Sequence, residues 1–268
     1  MSWRGLGQIM GIVNINDDSF SGDGTLDIEK ALDQAARMAA DGADMIDVGA
    51  ESARTNREAV AIQEEVDRLI PFIDQFRDRV GAEARLSINT WRPEVVEAVL
   101  KTRKVDLIND IGGLVDPINA ELCARYGASL LIMHTIGEPK VPHLDQLYDD
   151  VWIAVESFFH ERVDRALRAG LSREQIILDP GIDFAKQRDD NLAIYRNAER
   201  LRKFDLPILL PISRKTVIGD VLGIENPAER DAGTIACLSR GLSAGADWFR
   251  VHHVKAAADA VKVLRAIQ

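Results

Sequence analysis

Eight short apolar runs alternate with longer amphipathic stretches along the whole chain, and no other feature restricts the fold as much. The runs occupy residues 9–15, 45–48, 86–88, 106–108, 129–133, 176–178, 207–212 and 248–251. Runs this short and continuous read as strands covered on both faces, as in a parallel sheet. Between them, apolar residues recur at helical spacing in Ile28/Ala31/Leu32/Ala35 and in Val66/Leu69/Ile70/Ile73, so each helix has one face to lay on the sheet. Further helices are expected after Pro93, Pro117, Asp145, Asp189, Pro227 and Val254. Asn226-Pro227-x-Glu229 supplies an N-cap, a first-turn proline and an N3 glutamate. Glycines in Asp41-Gly42-Ala43-Asp44, Tyr126-Gly127-Ala128-Ser129 and Ala244-Gly245-Ala246-Asp247 fall where a helix ends ahead of a strand.

Eight βα units in 268 residues match the ~250 residues typical of a (β/α)8 barrel. No Pro/Gly/Ser-rich linker divides the chain, so residues 1–268 are expected to form one α/β domain, a single (β/α)8 TIM barrel. A doubly wound open sheet would give the same alternation, but its usual Gly-x-Gly-x-x-Gly turn is missing.

With 33 basic against 43 acidic residues, the net charge of −10 argues against nucleic acid as a partner, because a phosphate-backbone binder carries a basic footprint. No apolar stretch approaches the ~18 residues of a spanning helix. The first residues lack the basic and apolar regions of a secretory signal, so a cytoplasmic location without membrane contact is expected. Cys123 and Cys237 lie in helical patterns without metal-binding spacing and are expected as reduced core residues.

In a barrel the chemistry sits at the C-terminal strand ends. Those ends read Asn14; Asp47 and Glu51; Asn89; Asn109 and Asp110; Met133 and His134; Asp179; Ser213-Arg214-Lys215; Arg250 and His252. Polar residues follow many strands simply because loops begin there, so the set carries more than any member. Asp179, ahead of Pro180-Gly181, could accept two N–H bonds from a heterocyclic amidine edge or tie down the Pro-Gly turn. Arg214, Lys215, Arg250 and His252 place cations where barrels often bind phosphate, which points to an anionic substrate group. Arg214 and Lys215 could equally be solvated. Arg250 and His252 share a strand face, whereas His253 is expected to point outward. His134 reads equally as a packed histidine or a ligand contact. The polar stretch Asn16-Asp17-Asp18-Ser19-Phe20-Ser21-Gly22 could be a lid that carries a carboxylate, or a surface loop with Phe20 packed on the barrel.

Taken in order, Gly11-Ile12-Val13-Asn14 with Asp18-Ser19-Phe20-Ser21, Asp47-Val48-Gly49-Ala50-Glu51-Ser52-Ala53-Arg54, Ile108-Asn109-Asp110, Met133-His134, Leu178-Asp179-Pro180-Gly181-Ile182, Ser213-Arg214-Lys215 and Arg250-Val251-His252 resemble dihydropteroate synthase over the whole chain. The resemblance implies a transferase of folate biosynthesis that joins 6-hydroxymethyl-7,8-dihydropterin pyrophosphate to p-aminobenzoate and releases pyrophosphate in an SN1-like departure. It implies that Asn109, Met133, Asp179 and Lys215 hold the pterin, and that Asn14, Arg250 and His252 hold the pyrophosphate, with Mg2+ at Asn14. Phe20, Ala53, Arg54, Phe184 and Ser213 would surround p-aminobenzoate, and Asp18, Lys215 and Asn89 would serve catalysis. A homodimer is also implied.

The chain departs from the family pattern at Asn89, where an aspartate is usual, at Ala53, Thr55 and Asn56, and at Asp183 and Ala185, which replace glycines. Ala53, Thr55, Asn56 and Asp183 fall on the p-aminobenzoate side. An inward Asp183 carboxylate would repel a benzoate by up to ~1 kcal/mol through water. Asn89 removes a negative group that would favour a cationic transition state. A pterin-binding paralogue with altered or lost condensation activity, a methyltetrahydrofolate-binding methyltransferase barrel and an unrelated phosphate-binding barrel are the alternatives. Retention of Ser213-Arg214-Lys215 and Arg250-Val251-His252 speaks against the methyltransferase.

Overall fold

A computed structural model describes residues 3–16, 24–51, 58–137, 139–141, 143 and 145–267. Its strands are β1 (Gln8–Asn14), β2 (Met45–Gly49), β3 (Arg85–Asn89), β4 (Leu107–Asp110), β5 (Ser129–Met133), β6 (Ile176–Asp179), β7 (Leu209–Leu210) and β8 (Trp248–Val251). All pair in parallel, in the order β6-β5-β4-β3-β2-β1-β8-β7. The two ends of that sheet meet through a bridge between Leu178 and Ile208, where the Leu178 amide donates to the Pro207 carbonyl at 2.9 Å. The sheet thereby closes into a (β/α)8 barrel, and the open-sheet alternative falls.

Around the barrel run α1 (Ile28–Ala40), α2 (Ile62–Val80), α3 (Pro93–Lys101), α4 (Ile118–Tyr126), α5 (Val151–Arg168), α6 (Arg188–Arg196), α7 (Thr216–Leu222), α8 (Asp231–Ser243) and α9 (Val254–Ala266). Strand alternation sorts the core into two clusters. Residues such as Ile9, Val13, Leu130, Ile132, Ile176 and Leu178 pack under the helices. Met10, Met45, Leu107, Leu131, Met133, Ile177, Leu209 and Trp248 fill the barrel interior. Two residues beyond these inward positions come Asp47, Asn109, Asp179 and Arg250, so the period of two directs each of them into the barrel mouth.

The N-terminal end of the barrel is plugged by Trp3. Its indole N–H donates to Ser129 Oγ at 2.7 Å, and the Trp248 indole donates to the Trp3 carbonyl at 2.7 Å. Nothing in the sequence around Trp3 marks this role, because its partners lie far along the chain.

β5 and β8 occupy the expected residues, but β7 shrinks to two, because Pro207 and Pro211 flank it and lack the amide proton a ladder needs. The helix expected after Asp145 begins at Val151, where Asp150 accepts the Trp152 amide. Asn226 caps the Ala228 amide as expected and also donates from its side chain to Glu229 Oε1, yet this starts a 3₁₀ turn and α8 follows it. α7 had no expectation, since it is short and has little apolar period. Gly42, Gly127 and Gly245 all have positive φ where their helices end. Both cysteines are free; Cys123 is buried, and Cys237 is half-buried rather than fully in the core.

Candidate active site

A carboxylate organises the centre of the barrel. Asp47 is fully buried; its Oδ1 accepts the Ser87 hydroxyl at 2.5 Å, and its Oδ2 accepts Arg250 Nε at 2.7 Å and Asn109 Nδ2 at 3.0 Å. Burial of a lone carboxylate would be costly, and three donors with one positive charge offset that cost. Because a carboxylate only accepts, the Asn109 amide must turn its NH₂ to Asp47. Its Oδ1 is left buried with no partner among the described residues, an acceptor available to a ligand.

Asp179 ends β6 with one oxygen taking the Gly181 amide at 2.7 Å. Burial raises its pKa to about 6, against the pull of Lys215, Lys186 and Arg250. The turn that follows is unusual: Gly181, Asp183 and Ala185 have φ of +67°, +68° and +48°. At Gly181 a Cβ would collide with the His134 carbonyl oxygen, so the turn packs directly on the end of β5. Lys215 reaches across from the loop after β7, donating to the Ile182 carbonyl at 2.8 Å with its ammonium 5.1 Å from the Phe184 ring centroid. Burial pulls the Lys215 pKa down, while Asp183 and Asp179 hold it up.

The Asp183 carboxylate accepts the Thr216 amide at 2.5 Å and the Val217 amide at 3.3 Å. It caps α7 from a different loop, so two backbone N–H groups meet its charge.

Lys186, which carried no expectation, is buried beneath the same turn. Its Nζ bonds the carbonyls of Gly181 and Phe184, both at 2.9 Å, and His134 Nδ1 at 2.8 Å. Nothing in the sequence marks it, because a loop lysine reads as a solvated charge. Burial lowers its pKa to about 7, against the pull of Asp179, Asp190 and Asp183, and its N–H groups face carbonyl oxygens that can only accept. His134 is thus a packed histidine with its ring edge on Phe158 at 4.8 Å, its pKa pushed down to about 2 by burial and by the Lys186 charge.

On the opposite side, Ser213 Oγ lies 2.8 Å from His252 Nδ1 and accepts the His252 amide at 3.1 Å, fixing the histidine beside Arg250. Arg214 leaves the expected cation group: its guanidinium forks onto Asp231 at 2.8 and 3.1 Å. Arg230, buried and unforeseen, ties the Arg214 and Lys215 carbonyls at 3.1 and 3.2 Å. His253 is exposed, as expected. Met133 is buried in the inner cluster with Phe184 packed against it, and Asn14 and Asn89 end their strands half-buried.

Two strand-end carboxylates prove structural. Asp110, its pKa raised to about 6 by burial, binds the Gly112 amide and Asn119. Glu51 takes Lys140 at 2.6 Å, Arg92 at 3.1 Å and the Val60 amide at 2.8 Å, bracing neighbouring loops. Asp18, Phe20, Ala53 and Arg54, with Thr55 and Asn56, lie outside the described residues.

Among the described residues no group of three or more His, Cys, Asp or Glu side chains could hold a metal. The neutral amide of Asn14 is a sparse donor set. A Mg2+ there would have to take most of its ligands from water and substrate phosphates, the partners this ion keeps when protein donors are few. The mouth as a whole offers buried acceptors, Asp179 and Asn109, for an N–H edge, and Lys215, Arg250 and His252 for an anion. No helix among the described residues is long and apolar enough to cross a membrane.

A family model for pterin binding enzymes matches residues 10–252. The chain is 36% identical over 259 residues to dihydropteroate synthase of Escherichia coli K12, covering 96% of this chain and 90% of that protein. Dihydropteroate synthase of Yersinia pestis, solved in a sulfonamide drug complex, superposes with a TM-score of 0.91 at 34% identity, covering 98% and 94% of the two chains. The Xanthomonas albilineans enzyme with 4-aminobenzoic acid gives 0.88 at 33% identity, covering 100% and 99%.

Proposed function

The chain belongs to the pterin-binding enzymes, and on that premise we propose that its barrel mouth performs the dihydropteroate synthase reaction. It condenses 6-hydroxymethyl-7,8-dihydropterin pyrophosphate with p-aminobenzoate to 7,8-dihydropteroate and pyrophosphate, a transferase step of folate biosynthesis. The observation that carries this reading is the joint placement of two buried acceptors, Asp179 and Asn109, with Arg250 and Lys215 at one barrel mouth.

Asp179 and Asn109 take the amino and ring N–H edge of the pterin, Met133 forms the apolar wall and Lys215 closes the site. Arg250, steadied by Asp47, and His252, steadied by Ser213, hold the pyrophosphate. The positive charge of Arg250 is most useful as the C–O bond breaks and charge gathers on the leaving group, and His252 offers a ring nitrogen beside it. The aniline nitrogen then forms the new C–N bond to the pterin methylene and gives up its proton to water or to the released pyrophosphate. Asn14 would hold Mg2+, which would neutralise part of the pyrophosphate charge. Asp18 is assigned to stabilising the cationic centre, Asn89 and Lys215 stand with it in the catalytic set, and Phe20, Ala53, Arg54, Phe184 and Ser213 are assigned to the benzoate. Residues 1–268 act as one domain, assembled as a homodimer in the cytoplasm.

The test is a steady-state assay of pyrophosphate release with the pterin pyrophosphate and a panel of aryl amines. p-Aminobenzoate should drive release. Thermal stabilisation by the pterin pyrophosphate, with no release for any amine, would leave a binding protein instead.

A further inference from the structure

The turn after β6 winds around one side chain. Its left-handed residues alternate with Ile182 and Phe184, and two of the three, Asp183 and Ala185, carry a Cβ that disfavours this conformation. Lysines meet its carbonyls from both sides. Lys215 takes Ile182 from the pocket, while Lys186 takes Gly181 and Phe184 from below and leans on His134 Nδ1. Asp183 has its own anchor in the α7 amides, and Ile182 is held by a fully buried side chain. Phe184 lacks both: it is half-buried, and its peptide is held by the Gly181 carbonyl at 3.0 Å and by Lys186.

We propose that Lys186 is a positioning residue for the amine-acceptor side of the pocket: its ammonium, seated against the Gly181 and Phe184 carbonyls and His134 Nδ1, keeps the turn wound so that Phe184 stays under Lys215. This rests on the reading that Phe184 borders the acceptor. A methionine thioether chain, one atom shorter, would fill most of the same space yet remove the donor these acceptors share, and the strained turn would lose its template. The acceptor side should suffer first, since Asp179 lies ahead of the turn on β6.

The experiment compares Lys186→Met, Ala185→Gly and the double variant with the unmodified chain. Lys186→Met should raise KM for p-aminobenzoate about tenfold or more, with kcat and KM for the pterin pyrophosphate within about threefold. Glycine at 185 eases the left-handed conformation, so the double variant should regain at least about a third of the lost affinity. Unchanged acceptor KM, a parallel fall of all parameters with the folded fraction, or no recovery with glycine would overturn the proposal. Should Lys186→Met fail to fold, Lys186→Arg, which keeps a donor of different reach, is read by the same criteria. If the unmodified chain shows no turnover, the functional reading fails on its own. Hydrogen exchange then decides: selective loss of protection at amides 181–186 in Lys186→Met supports the proposal, and equal protection overturns it.

Discussion

Asp47 Oδ2 lies 2.7 Å from Arg250 Nε at the barrel centre, and the same oxygen fixes the Asn109 amide at 3.0 Å. One buried carboxylate therefore sets the direction of both an anion-binding cation and a pterin-facing acceptor. Asp47→Asn removes the charge and leaves Arg250 uncompensated. Because the Arg250 side chain is 21% exposed, the loss should sit at the low end for a broken buried pair, about 3 kcal/mol by urea unfolding. KM for the pterin pyrophosphate should rise with it. A loss below about 1 kcal/mol with unchanged KM would remove Asp47 from this role.

Asp179 couples stability against function. Its folded pKa of about 6 lies above the ordinary carboxylate value, so the stability it contributes is complete below pH ~4 and is lost as pH rises through 6. Asp179→Asn should therefore stabilise the protein at pH 7, by about 2 kcal/mol, while weakening pterin binding at least about a hundredfold. For the unmodified chain, pterin affinity should fall about tenfold per pH unit below 6, as the acceptor takes up a proton. Calorimetric titration at pH 5, 6 and 7 checks this; affinity flat over that range would mean the carboxylate does not meet the N–H edge.

His134 acts in the opposite sense. Its pKa is depressed to about 2, so its contribution is present above the ordinary histidine value near 6.5 and declines as pH falls below it, by ~2 kcal/mol at pH 5. His134→Asn should flatten the acid limb of the stability profile, and the gap in unfolding free energy between the two proteins should shrink by that amount between pH 7.5 and 5. A constant gap would show that His134 titrates normally.

Asp183→Gly loses a cap worth about 1 kcal/mol and relieves a left-handed residue of similar cost, so stability should change by less than ~1 kcal/mol. KM for p-aminobenzoate should stay within about threefold of the unmodified value. A tenfold fall would place the carboxylate against the benzoate after all.

What could be read from the sequence follows from the range of the forces involved. An apolar run and the residue that ends it are local features, and they mark Asp47, Asn109, Asp179 and Arg250 for one barrel mouth. Partners separated by tens of residues left no such mark. Arg214 looked like a substrate cation until Asp231 took it, and Asp183 looked like a repulsive charge until the α7 amides took it. Lys186 and Arg230 were invisible, because their work is to satisfy carbonyls of loops whose path no periodicity encodes. Trp3 was missed for the same reason: its partners, Ser129 and Trp248, meet it only when the barrel closes.

The most direct measurement quantifies 7,8-dihydropteroate and pyrophosphate together, in one reaction containing the pterin pyrophosphate and p-aminobenzoate, for the unmodified chain and for Asp179→Asn. Equimolar formation of both products by the former, and of neither by the latter, is the expected result. Pyrophosphate without dihydropteroate, or equal turnover by the two proteins, would contradict the assignment of this barrel mouth to the condensation.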